Sequence, residues 1–208
     1  MDAKEIFVAI PNTGYIHKAL AEWMVHCEAR KDYHITWFLP VDFPVDVNRN
    51  NIVNSFLKNK TCDWLLMVDS DLIPPTYVLD MIPQLEKEDI KICSALTHMQ
   101  KGDEVFPTVF KEKGKGFEYK IESGINYADI NQVAVVGTGC LWIHREVVEK
   151  LEKPLFQFKY YPDGTRAQGE DISFCAKAEE AGYKTYVDPR VGCIHFVERA
   201  ISAKNAKY

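Results

Sequence analysis

A chain of 208 residues, 47% apolar and 26% charged, can bury one sizeable core, and its composition excludes the disordered, collagen-like and disulfide-dense classes. It holds no run of 18 or more apolar residues to read as a membrane span, and its start, MDAKEIFVAI, has an acid at position 2 and no signal-peptide pattern. The formal charge of −5 argues against a protein that tracks nucleic-acid phosphates.

EIFVAI (5–10) predicts a buried strand, stopped by Pro11-Asn12-Thr13-Gly14. Residues 16–29 place Ile16, Leu20, Trp23, Met24 and Cys27 at helical spacing. HITWFL (34–39) predicts a second strand. After a Pro/Asp-rich loop, 48–59 predict a helix with Ile52, Val53, Phe56 and Leu57 on one face. WLLMV (64–68) reads as a third strand, Pro74-Pro75 as the opening of a helix, and IKICSAL (90–96) as a fourth strand. This alternation implies parallel strands with helical crossovers, an α/β sandwich. Beyond residue 100 the pattern changes. VFPTVF, GFEYKI and QVAVVGTGCLWI predict strands without intervening helices, hence mixed pairing. Residues 145–151 predict a short helix. The aromatic, glycine-containing stretch 156–168 reads as a long loop that can order over a ligand. A helix follows over 170–182, then a last strand, KTYVD, before PRVGCIHF. The basic end, 201–208, reads as a frayed tail, and the charge runs at 86–91 and 111–115 as solvated faces. Six cysteines with no CxxC read as small buried hydrophobes in a reducing, cytoplasmic setting.

The third strand runs straight into Asp69-Ser70-Asp71. In a parallel sheet the carboxyl ends of the strands form the ligand edge. If strand alternation persists, both carboxylates point to one side. Two like charges so close call for a cation, and Mg²⁺ or Mn²⁺ completed by nucleotide phosphates fits that need. The competing reading is a turn whose aspartate caps the next helix.

GTGCLWIHREVVEKL (137–151), GEDISFCAKAEEAGYKTYVD (169–188) and CIHF (193–196) follow in order. With FVAIPNTGYIH and DSD, this set resembles the GT-A glycosyltransferases, the nucleotide-diphospho-sugar transferases, and among them small family-2-type members. The resemblance implies a single GT-A domain over 1–208, with a mixed, mainly parallel sheet flanked by helices. Residues 1–100 would be the nucleotide-binding half and 101–200 the acceptor-side half. It implies a metal-dependent enzyme that moves a sugar from a UDP- or GDP-sugar to a glycan or small hydroxyl acceptor, inverting rather than retaining, with Mn²⁺ or Mg²⁺. Asp71 would ligate the metal, His195 would complete its site, and Asp69 would meet the ribose or the metal through water. Pro11, Asn12, Thr13, Arg49, Asn50 and Ser70 would serve the nucleotide. Gly137, Thr138 and Gly139 would line the donor-sugar pocket, and Trp142 would stack on a sugar. Asp171 would be the general base and Glu170 would orient the acceptor.

Each residue also has a plainer reading. His195 can be a satisfied strand histidine, Glu170 and Asp171 helix-start acids, Arg49 a surface charge, the glycines a bulge, and Trp142 core. Two other functions stay open: a nucleotide-sugar-binding module without transfer, and a D-x-D phosphatase. The second wants Thr or Val after the second aspartate, where Leu72 stands. The sugar, base, acceptor and oligomeric state are open.

Overall fold

The structure, a computed structural model, describes residues 3–112 and 119–197. The expected tail lies outside these residues, as does part of GFEYKI and of the 111–115 charge run.

The alternating first half forms as its periodicity predicts. In order come β1 (Lys4–Ala9), α1 (Lys18–Glu28), β2 (Tyr33–Phe38), α2 (Val45–Lys58) and β3 (Trp64–Val68). Then follow β4 (Leu72–Ile73), a 3-10 helix (Thr76–Met81) running into α3 (Ile82–Lys87), and β5 (Ile92–Leu96). Helix α2 starts earlier than its apolar stripe, because Pro44 opens it. The second half holds β6 (His98–Lys101), β7 (Glu104–Pro107), β8 (Val109–Glu112), β9 (Tyr119–Ile121), β10 (Asn131–Val133), β11 (Val135–Val136), β12 (Cys140–His144) and α4 (Arg145–Lys150). It ends in β13 (Lys159–Tyr160), β14 (Arg166–Gln168), α5 (Glu170–Glu180), β15 (Thr185–Gly192) and β16 (Ile194–His195).

One seven-stranded sheet in the order β10-β15-β5-β12-β3-β1-β2 organises the molecule. β1 pairs in parallel with β2 and β3, and β15 with β5. β12 inserts antiparallel between β3 and β5, and β10 is antiparallel at the edge. Five of the seven strands therefore share one direction. Alternate residues feed two cores. Phe7, Ala9, Leu65 and Met67 face α2, α4 and α5, while Ile6, Val8, Ile10, Leu66 and Val68 face α1 and the 3-10 turn. β3 is buried on both faces, which its unbroken apolar run requires.

Two expectations change. QVAVVGTGCLWI is not one strand: it breaks into β10, β11 and β12, and β11 leaves the main sheet to pair with β8. Gly137 makes the break possible, since its N–H meets the Thr108 carbonyl at 2.7 Å and a Cβ there would stand 2.8 Å from Thr108 Oγ1. The 156–168 stretch is a hairpin, β13–β14, rather than an open loop. All six cysteines are free thiols and five are buried, in agreement with the sequence. Among the described residues no helix is long and apolar enough to cross a membrane.

Trp142 is core. Its side chain is 0% exposed and packs edge-on against Trp64, with ring centroids 6.2 Å apart. It cannot stack on a sugar. Trp142→Phe is expected to cost about 1–3 kcal/mol, the range for a core change that opens a small cavity, and to leave nucleotide binding alone. Urea unfolding beside a nucleotide titration separates this from a surface role.

Candidate active site

The site forms at the carboxyl edge of β1 and β3, where open α/β sheets bind ligands. β12, running the other way, brings its leading glycine to the same edge: the Asp69 N–H donates to the Gly139 carbonyl at 2.8 Å. A Cβ on Gly139 would run into Leu72 and stand 3.3 Å from Asp69 Oδ2, so only glycine lets the strands close here.

Strand alternation does not persist through DSD. The Leu72 N–H returns to the Asp69 carbonyl at 3.0 Å, closing a turn, and β4 then pairs with β16. The two aspartates consequently meet different partners. Asp69 Oδ1 accepts from Arg49 Nη2 at 2.9 Å. Asp71 Oδ2 stands 3.3 Å from His195 Nε2. Neither caps a helix, because the next helical turn begins at Thr76 behind Pro75.

His195 is oriented for ligation. Its Nδ1 lies 2.6 Å from the His98 carbonyl. A carbonyl only accepts, so Nδ1 carries a proton, and whenever the ring is singly protonated its Nε2 lone pair points toward Asp71. A lone pair facing a carboxylate is repulsive until a cation or a second ring proton sits between them. Two adjacent ligands of an octahedral cation, each about 2.1 Å from it, stand about 3 Å apart. The 3.3 Å spacing of Asp71 and His195 suits that edge. Among the described residues no group of three or more His, Cys, Asp or Glu side chains is gathered to hold a metal ion. Asp71 and His195 are a pair of side chains that could share a cation, and any such cation would need further ligands from outside the pair.

On the other side of Asp69 lies Arg49, 3% exposed. Nη1 donates to the Thr138 carbonyl at 3.2 Å, and Nε faces Glu170 Oε1 at 3.5 Å, an ion pair without a hydrogen bond. The expectation that Arg49 meets the base or diphosphate is corrected. It is a buried cation that ties Asp69 to Glu170. A signal existed in the sequence: Arg49, Ile52, Val53 and Phe56 share one helical stripe, which places a charge on the buried face of α2.

Glu170 and Asp171 open α5. Burial raises the pKa of both, and Arg49 pulls each back toward ionisation. The N–H of Ile172, donating to Asp171 Oδ1 at 2.7 Å, acts in the same direction on Asp171. Asp69 is likewise raised by burial and lowered by Arg49. Four carboxylates, Asp69, Asp71, Glu170 and Asp171, therefore converge around one guanidinium and one imidazole. Such an edge repels a diphosphate unless a cation accompanies it.

A cleft of about 740 Å³ opens beside Asp71, lined by Thr13, Tyr15, His17, Ser70, Asp71 and Phe196. The rings of His17 and Phe196 stack at 3.6 Å across it. Sequence reasoning named Thr13, Ser70 and Asp71 but missed Tyr15, His17 and Phe196. Pro11 and Asn12 are buried. Asn12 Nδ2 donates to the Ile10 and Pro40 carbonyls at 3.1 Å, and its Oδ1 accepts from the Gly14 N–H, so it braces the loop rather than facing the cleft. Asn50 is also misassigned to the nucleotide. Its amide grips the backbone of Phe156. Gly137 packs on Thr108, and the Thr138 side chain is buried.

The architecture is the GT-A fold of nucleotide-diphospho-sugar transferases, as the resemblance implied. No protein-family model and no curated protein matches the sequence, so the likeness is one of structure. "Crystal Structure of A197 from STIV" superposes with a TM-score of 0.68 at 20% identity, covering 94% of this chain and 86% of that one. GalNAc-T7, solved with UDP, GalNAc and Mn2+, gives 0.57 at 12%, over 92% of this chain and 43% of that one. TarS from S. aureus, in complex with UDP-GlcNAc, gives 0.50 at 11%, over 98% and 61%. This chain spans less than two thirds of the length of the latter two.

Proposed function

We propose that the protein is a glycosyltransferase that moves a sugar from a nucleoside-diphosphate donor, with a divalent cation, to a hydroxyl acceptor. The observation that carries this reading is the continuous constellation His195–Asp71–Asp69–Arg49–Glu170/Asp171 at the carboxyl edge of a GT-A sheet. The complexes of GalNAc-T7 with UDP and Mn2+ and of TarS with UDP-GlcNAc support the donor class.

The nucleotide lies in the cleft between the 13–17 loop and Ser70-Asp71. Asp71 and His195 would hold the cation, Mn²⁺ in preference to Mg²⁺ because an imidazole suits the softer metal. A cation held there would supply positive charge to stabilise the leaving diphosphate. Asp171 takes the proton from the attacking hydroxyl, and the Ile172 N–H keeps it aimed and ionised. A carboxylate in this role, rather than one bonded to the sugar, implies inversion at the anomeric carbon. Glu170, against Arg49, holds the acceptor side in place.

The deciding experiment incubates the protein with a panel of UDP- and GDP-sugars and Mn²⁺ and measures free nucleoside diphosphate and transferred sugar. Release above the no-enzyme rate is expected with at least one donor. Tight binding of a nucleotide sugar with no release, with or without glycan acceptors, would make the protein a binding module instead.

A further inference from the structure

Three consecutive residues at the start of α2 tie together parts of the site that are far apart in sequence. Asn48 Nδ2 donates to the carbonyls of Asn12, Pro40 and Asp42, which fixes the loop after β1. Arg49 bridges Asp69, the Thr138 carbonyl and Glu170. Asn50 grips the peptide of Phe156 at both ends: Nδ2 donates to its carbonyl at 2.6 Å, and Oδ1 accepts from its N–H at 3.2 Å. Phe156 in turn stacks on Phe174 of α5 at 4.8 Å.

The consequence concerns the hairpin. Phe156 and Glu170 are its two roots, and Asn50 and Arg49 hold one each. Between them the hairpin carries the exposed Tyr160, in β13, and Tyr161, in its turn, with the Arg166 guanidinium 5.3 Å over the Phe158 ring. The hairpin's own pairing is short, two residues against three, and is interrupted by a register shift. Its orientation depends on its roots.

We propose that Asn50 and Arg49 are positioning residues for the acceptor side: they clamp the roots of the aromatic hairpin and Glu170 to the helix that also braces the nucleotide loop. Neither touches substrate. The catalytic half of this statement rests on the glycosyltransferase reading; the mechanical half does not.

The test has two arms, chosen to fail separately. The first is limited trypsin digestion of the ligand-free chain, following cleavage after Lys159 and Arg166. Asn50→Ala is expected to speed cleavage there about tenfold, the effect of losing a buried two-point hydrogen bond when cleavage follows local opening. Asn59→Ala is the control. It removes the acceptor for the Thr61 and Cys62 N–H groups, away from the hairpin. Equal cleavage of Asn50→Ala and wild type, or equal acceleration in Asn59→Ala, overturns the clamp. The second arm uses a donor that the wild type turns over. Asn50→Ala should raise acceptor KM about tenfold with donor KM unchanged, because misplacement of this order weakens only the acceptor geometry. Arg49→Lys keeps the charge without the fork and should retain more kcat than Arg49→Met. If both KM values rise while Tm falls, or Lys rescues nothing, the residues are scaffold and the positioning role is wrong. Absence of turnover in the wild type sinks the transferase reading, while the digestion still decides the clamp.

Discussion

Asp171→Asn is expected to cut sugar transfer roughly 10²–10⁴-fold, the usual worth of a general base, and to leave nucleoside-diphosphate affinity nearly unchanged. The argument begins with its place in the chain. Asp171 lies in the first turn of an 11-residue helix, where the dipole and the Ile172 N–H favour the carboxylate. Gly169 leaves room for it: a Cβ there would press on Asp171 Oδ1. Burial acts against ionisation and raises the pKa above the ordinary 3.8. The sign of the pH effect follows. The base is lost as pH falls through that raised value, so the acid limb of kcat/KM lies above the ordinary aspartate range. Stability moves oppositely. A carboxylate with a raised folded pKa penalises the fold at neutral pH, and protonation relieves it as pH falls. Asp171→Asn should therefore be at least as stable as wild type at pH 7. Glu170→Gln should lose rate by loosening Arg49, while the same burial penalty is relieved and Asp69 still pairs the guanidinium, so its stability at pH 7 should change little. Single-turnover assays with thermal melts of both variants decide the assignment. Full transfer by Asp171→Asn with loss in Glu170→Gln would move the base to Glu170.

The scaffold was legible where one physical rule dominated. Unbroken apolar runs gave β1, β3 and β5, 3.6-residue stripes gave α1 and α2, and an acidic start with a closing glycine gave α5. The insertion of β12 between β3 and β5 was not legible, because strand order depends on contacts between segments about fifty to eighty residues apart. The site divides in the same way. Asp69, Asp71, Glu170, Asp171 and His195 could be singled out because each stands at the end of a strand or the start of a helix, where the fold gathers its polar groups; what they bind or catalyse is the proposal above. Trp142 was misjudged because an indole suits a core and a sugar equally well, and only burial separates the two. Asn50 was misjudged because its partner is a backbone peptide 106 residues away, which leaves no mark on side-chain patterns. Arg49 could have been read correctly. Its helical phase with Ile52 and Phe56 places it inside, and a buried arginine needs carboxylates.

Nucleoside-diphosphate binding is expected to require a divalent cation, and this is the largest effect the site predicts. Asp71 and His195 would supply one carboxylate oxygen and one imidazole nitrogen, 3.3 Å apart, with a proton on His195 Nδ1 held by the His98 carbonyl. Two protein ligands hold a cation weakly, so Mn²⁺ alone should bind poorly and Mn²⁺ with nucleotide should bind cooperatively. Without a cation, the diphosphate meets Asp69 and Asp71 directly. Unit charges 4 Å apart interact with roughly 4 kcal/mol at an effective dielectric of about 20, which is about a thousandfold in affinity for a single such contact. The neighbouring cation on the protein side, Arg49, is already held by Asp69 and Glu170 and cannot turn outward. Chelator should therefore abolish measurable binding in the wild type. Asp71→Ala and His195→Ala should each remove most of the Mn²⁺ dependence. Asp69→Ala should act differently: it frees Arg49 from its partner in a buried setting, so it should lower Tm as well as nucleotide affinity. Isothermal titration of UDP and GDP into the wild type and the three variants, with Mn²⁺ or with chelator, measures all of this. Wild-type affinity that is the same in chelator and in Mn²⁺ would mean that Asp71 and His195 hold no cation, and that the facing lone pair and carboxylate are reconciled by a proton on Nε2.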